Sequence, residues 1–133
     1  MNPAVGQMIQ YRVQQATESL DEARALVAFS FFRGAINRAY YAMFYMVMAL
    51  AVLKQEATSK HSGAIAFFDR EFVKHGIFPK QLSQTLHMAF QRRQEYDYGE
   101  VFTCTLEEAN QAIAEATEFV TIVSQYINSI VTP

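Results

Sequence analysis

One cysteine, three prolines and five glycines are all that the 133-residue chain carries of the residues that cross-link or break a backbone. Cys104 has no second cysteine to pair with, so no internal disulfide can form. It also lacks neighbouring Cys or paired His ligands, which leaves it without a metal-ligand set. No secretory leader is visible, and a reducing cytoplasm is the expected location. A basic excess is missing too. The formal charge is −2, which excludes a generally basic nucleic-acid binder but leaves room for a short or structured nucleic acid at a local patch. There is no glycine-rich phosphate loop, no Cys-x-x-Cys and no Glu-x-x-His pair for a di-metal bundle. No strand-like alternation is flanked by hairpin turns, and no repeat at solenoid spacing is visible. No cofactor and no metal are expected, and no nucleophile–base arrangement can be read from spacing.

What the chain does have is apolar residues in helical rhythm: 51% are hydrophobic and 14% aromatic, ample for one core in one domain over 1–133. A first helix is predicted over Pro3–Ala28, where Val13, Ala16, Leu20, Ala23 and Val27 recur at three- and four-residue steps. The pattern breaks from Ser30 to Gly34, as expected for a short turn between antiparallel neighbours. A second helix over Phe32–Lys54 is apolar all round and so should be buried on nearly all sides. Its apolar run from Ala39 to Leu53 falls short of the roughly 20 residues a membrane span needs, so a core helix is expected and no membrane partner.

A third helix is predicted over Lys60–Lys74, stopped at His75-Gly76, where glycine can take a positive φ. Pro79 suits the first turn of a fourth helix ending near Tyr98-Gly99. Thr105 and Glu108 form a capping-box pattern before a last helix that runs to near the C-terminus. The expected fold is all-α: an up-and-down bundle of four long helices with an additional shorter one.

The polar head of the second helix is the first candidate site. Asn37 and Arg38 precede Tyr40, Tyr41 and Tyr45 in an otherwise apolar segment. A guanidinium drawn toward the core needs a partner. Arg93 and Asp97 lie four apart on one helical face, and Asp97 is a natural partner for Arg38 or Arg93. Tyrosines 40, 41, 45, 96 and 98 could stack on nucleobases, although on an apolar helix such residues are more often core. At the head of the third helix, free backbone N–H groups with Lys60, His61 and Ser62 could hold a phosphate or carboxylate. The plainer reading is a cap by Ser59 or Ser62 with Lys60 and His61 in solvent. His75 suits a helix C-terminus. His87 has no matching ligand and is expected to be partly buried.

Four segments together resemble HEPN domain proteins. They are Asn-Arg-Ala-Tyr-Tyr-Ala-Met-Phe at 37–44, Lys-His-Ser-Gly-Ala-Ile-Ala-Phe-Phe at 60–68, Arg-x-x-x-Asp-Tyr at 93–98, and the Glu-Glu-Ala helix after Thr105. The resemblance spans roughly residues 10 to 128. It is strongest to the small stand-alone branch often encoded beside minimal nucleotidyltransferases. It implies a dimerising bundle with the polar motif near the dimer cleft. Many members are metal-independent RNases, including toxins of toxin–antitoxin pairs, whose motif is an Arg followed by a His about four to six residues on. After Arg92 or Arg93 this chain has Asp97 or Tyr98 there, and no His follows. Some members carry a Tyr two places after that His that the partner nucleotidyltransferase modifies. That register falls on Gly99 here, with Tyr98 the nearest substitute.

The leading expectation is therefore an accessory or binding module. It would be a homodimer paired with a nucleotidyltransferase, offering a nucleotide- or RNA-binding cleft around Asn37, Arg38, Tyr41, Lys60, Tyr98 and the Arg93–Asp97–His61 group. One alternative is a divergent metal-independent RNase that uses Arg93 with Asp97 or His61. An Asp with an ordinary pKa near 4 is a weak base at neutral pH, whereas a His titrates near 6.5. Another alternative is a structural homodimer in which Arg38 and Asp97 only order the core.

Overall fold

The computed structural model describes residues 2–58, 60–98 and 103–132, with the side chains of 96–98 outside that description. Five helices run as α1 (Pro3–Ala28), α2 (Phe32–Leu53), α3 (His61–Phe68), α4 (Lys80–Tyr98) and α5 (Leu106–Val131). No strand occurs among the described residues. The expected bundle of four long helices and a short one is what forms.

The ends of these helices follow from local chemistry. Asn2 caps α1, its side-chain oxygen accepting from the Ala4 N–H at 2.9 Å, with Pro3 at the first helical position. The α1–α2 turn is made at Ser30, whose φ is +64°. The Ser30 and Phe31 N–H groups return to the Val27 and Leu26 carbonyls at 2.9 and 2.8 Å, the reciprocal closure of a left-handed helix stop. Gly34, the obvious breaker in the sequence, lies inside α2 instead. Its role is close approach, since a Cβ there would meet the Leu26 Cδ1 at 3.3 Å. The same stop recurs after α2 at Gln55 (φ +54°) and after the third helix at Gly76 (φ +74°). Only the last was legible from its glycine.

The third helix departs from expectation in winding. It is α-helical to Phe68, then a π-helical turn over Asp69–Val73, closed by the Lys74 N–H on the Asp69 carbonyl at 2.8 Å. The wider turn accompanies burial of Phe67, Phe68 and Phe72 together. Ser62 does not cap it, since Lys60 holds the N-cap position with no side-chain cap bond; Ser59, the other candidate, lies outside the described residues. Pro79 immediately precedes α4, its carbonyl accepting from the Leu82 N–H at 3.0 Å. The capping box at α5 is complete, with Thr105 and Glu108 exchanging side-chain-to-backbone bonds of 3.1 and 3.3 Å.

α2 is the centre and packs against all four other helices. It is long and apolar enough to cross a membrane by composition, but Ala35, Ala39, Ala42, Met46 and Leu50 are buried along its length by its neighbours. The alanines leave little side chain between α2 and the helices packed on it. Within the same core, Phe68, Phe72, Phe78, Phe119 and Tyr126 form an aromatic cluster.

Candidate functional site: a guanidinium–tyrosine–histidine cluster

Adjacent positions on a helix diverge by about 100°, so Tyr40 and Tyr41 face different surroundings. Tyr40 is buried; Tyr41 is half-buried at the groove between α2 and α4. The Tyr40 hydroxyl lies 2.7 Å from His61 Nδ1, joining α2 to the head of α3. The His61 ring stacks on Phe44 with centroids 4.1 Å apart, and Phe90 of α4 lies on the same stack at 6.2 Å. His61 is thus fixed by a ring on its face and a hydroxyl at one nitrogen. Its Nε2 has no partner among the described residues.

Arg93, from α4, donates through Nη2 to the Tyr41 hydroxyl at 2.9 Å. Its guanidinium carbon lies 5.2 Å from the Tyr41 ring centre and 5.7 Å from that of Tyr40. Arg38 places its own guanidinium carbon 4.7 Å from the Tyr41 ring centre. Two cations therefore converge on one tyrosine, each within cation–π range. The carboxylate that reaches Arg38 is Glu22 of α1, at a long 3.9 Å and more than half exposed, a contact worth at most ~1 kcal/mol. The expected pairing of Asp97 with Arg38 or Arg93 falls outside the described side chains, as does Tyr98. Lys60 is exposed beside His61.

Burial, and after it the Arg93 charge, hold the His61 imidazole below its ordinary value. Burial also pushes the Tyr40 phenol well above its usual range, so Tyr40 stays protonated. His61 is accordingly neutral at pH ~7, the form able to accept a proton. The linkage has a definite sign. The unfolded chain binds the His61 proton more readily than the folded one, so this contribution to stability is intact above pH ~6.5 and is lost as the pH falls through the lowered folded value. His61→Phe keeps a ring on Phe44 and cannot titrate. Its melting temperature should therefore drop less than that of the unmutated protein between about pH 7 and pH 5. Parallel thermal melts over that range would remove His61 as the titrating group.

Beside the cluster is a cavity of about 270 Å³ between α2, α4 and α5. Tyr40 and Arg93 belong to its wall, and Arg33, Asn37, Arg92 and Glu115 supply its other polar groups. Among the expected residues the structure thus unites Arg38, Tyr41, His61 and Arg93 in one cluster and puts Asn37 in the adjoining cavity. Sequence reasoning missed Tyr40 as the holder of His61, Phe44 as its shelf, and Glu115. The i, i+4 spacing of Tyr40 and Phe44 was the available signal for the first two.

A second polar cluster also went unread. Asp69, at the head of the π turn, accepts from Ser83 Oγ at 2.7 Å and meets His87 Nε2 at 2.6 Å. His87 is exposed rather than partly buried, with its partner eighteen residues away in sequence. The carboxylate stands between hydroxyl and imidazole, whereas a nucleophile relay needs the imidazole in the middle. This cluster clamps α4 to the third helix. Among the described residues no three His, Cys, Asp or Glu side chains converge on a metal position.

The HEPN domain model matches residues 9–126. A UPF0332 protein of Thermotoga maritima is 37% identical over 123 residues, covering 92% of this chain and 93% of its own. Two Methanocaldococcus jannaschii proteins named as candidate toxins are each 31% identical. One alignment covers 88% of this chain and 80% of the relative, the other 98% and 96%. With the all-helical bundle and a family match across nearly its whole length, this chain belongs to the HEPN domain family.

Proposed function

We propose that this HEPN protein is the binding half of a toxin–antitoxin-like pair. It acts in the cytoplasm as a homodimer beside a nucleotidyltransferase and holds RNA or a nucleotide by phosphate at Arg38, Tyr41 and Arg93. The observation that carries this reading is the convergence of two guanidinia on the Tyr41 ring with only a long, exposed carboxylate contact at Arg38. Like charges held together in this way favour an anion between them, and phosphate matches the planar guanidinium fork. The candidate-toxin names of two relatives support the system, though not the chemistry.

A metal-independent RNase is the second reading, favoured by one observation: a neutral, ring-stacked His61 lies within the field of Arg93. A histidine base next to a phosphate-holding arginine is the minimum that such cleavage requires. The two readings separate in one experiment. The purified protein is incubated with total RNA and a chelator, and RNA binding is measured in parallel. Salt-sensitive binding without cleavage supports the binding module. Cleavage that His61→Ala and Arg93→Ala each abolish would replace it with the nuclease. Co-expression with the neighbouring reading frame, followed by intact-mass measurement, tests the partner. A co-purifying nucleotidyltransferase is expected, and its absence would remove that part of the proposal.

A further inference from the structure

We infer that the cavity between α2, α4 and α5 is a single-base pocket and that it selects guanine. The inference rests on the reading of the Arg38–Tyr41–Arg93 cluster as a phosphate site, and it names the nucleotide which that site presents. At about 270 Å³ the cavity lies just below the roughly 300–1,000 Å³ of drug-sized pockets. It suits one flat heterocycle with its sugar rather than a length of polymer. Its walls are apolar and thin: Ala39 and Met43 from α2, Ala89 and Met88 from α4, Ala112 from α5. Alanines leave the width of a ring, and methionines adapt to its face.

Two polar side chains in this wall, Asn37 and Arg92, are part-buried and make no hydrogen bond or ion pair among the described residues. Their polar atoms are open to solvent and so free to meet a ligand that enters the cavity. Across from α2 and α4, α5 contributes the Glu115 carboxylate, whose Oε1 accepts from Gln111 at 3.0 Å. The cavity therefore offers a guanidinium, an amide and a carboxylate to one ligand. Guanine has a matching edge for each. Its O6 and N7 accept from a guanidinium, and its N1–H and N2–H donate to a carboxylate. Uracil offers Glu115 a single N3–H flanked by two carbonyl oxygens that the carboxylate repels, and adenine and cytosine each bring only one amino group. Tyr40 links the two sites, since it lines the cavity and its hydroxyl holds His61. A base in the pocket and a phosphate at Arg93 are then one side chain apart, as they are within one nucleotide. An unpaired base in single-stranded RNA reaches such a pocket at little unstacking cost.

The test is fluorescence anisotropy with four uridine decamers differing only in a central G, A, C or U. The G oligomer should bind roughly tenfold tighter than the all-U one, the discrimination of one good base-edge contact. Glu115→Gln, and Ala89→Leu, which fills the slot, should each bring the four to within about twofold. Retained helicity and melting are checked first; if Ala89→Leu fails to fold, Glu115→Gln decides. Equal, salt-sensitive binding of all four by the unmutated protein would overturn the pocket and leave the phosphate site standing. No binding of any oligomer would overturn both. A guanine preference that survives Glu115→Gln would move base selection elsewhere.

Discussion

Arg93→Met should weaken RNA binding about 10- to 150-fold, the loss of a hydrogen bond to a charged group worth roughly 1.5–3 kcal/mol. The side chain stands where several lines meet. It donates to the Tyr41 hydroxyl, lies over two tyrosine rings, contributes to the cavity wall and depresses the His61 imidazole. Methionine keeps most of the volume and removes the charge. Some stability should be lost with the Arg93–Tyr41 hydrogen bond, and thermal melts of Arg93→Met measure that part separately from binding. The dependence of affinity on salt should flatten by about one phosphate contact. Arg93→Lys should recover only part of the loss, since a point charge cannot reproduce the fork. Filter binding at two salt concentrations measures all three. Affinity and salt slope both unchanged in Arg93→Met would rule the cluster out as the phosphate site.

The cluster also explains a local conflict in the fold. Two guanidinia on one ring repel each other, although each also has a polar partner, Glu22 for Arg38 and the Tyr41 hydroxyl for Arg93. Proteins accept such local conflicts at functional sites and offset them elsewhere. Here the offset is the buried face of α2 behind the cluster, with Ala39, Ala42, Met43, Met46, Val47 and Leu50 packed in the core. His61 is pinned between Tyr40 and Phe44 from the same helix.

Much of the fold was legible because helical periodicity and caps are local signals. Pro3, Gly76 and the Thr105–Glu108 box each act within a few residues. The turn at Ser30 was harder to place, because Gly34 is the stronger local breaker and its real constraint is the distant Leu26 side chain. The π turn at Asp69 was not legible for a similar reason: it accompanies three phenylalanines packing at once and two partners on α4. The site divides along the same line. Arg38, Tyr41, His61 and Arg93 stood out as polar residues beside apolar or tyrosine-rich segments. Their arrangement did not, since Tyr40 meets His61 across twenty-one residues and Arg93 meets Tyr41 across fifty-two. Glu115 sits on the polar face of an amphipathic helix, and nothing local distinguishes it from a solvated carboxylate.

Phe68→Ala should destabilise the protein by about 3–5 kcal/mol, close to half of the 5–15 kcal/mol typical of a domain. Phe68 is 0% exposed. Its ring centre lies 5.3 Å from Phe119, 5.6 Å from Phe78 and 6.2 Å from Phe72, so one truncation removes contacts with α5, the π turn and the loop before α4. Those rings are themselves buried and cannot collapse far into the space, which places the cost toward the upper end of the range. The expected fall in melting temperature is roughly 10–20 °C. Phe29→Ala is the matched control: that ring is 76% exposed, and its loss should fall within about 0.5 kcal/mol. The effect should also reach the site, because Phe68 ends the helix that His61 begins. Amide exchange in α3 should speed up more than in α1, and His61 should titrate nearer its ordinary value as its burial loosens. Uniform exchange across all five helices with an unmoved His61 titration would mean that the aromatic core stabilises the bundle without holding the site.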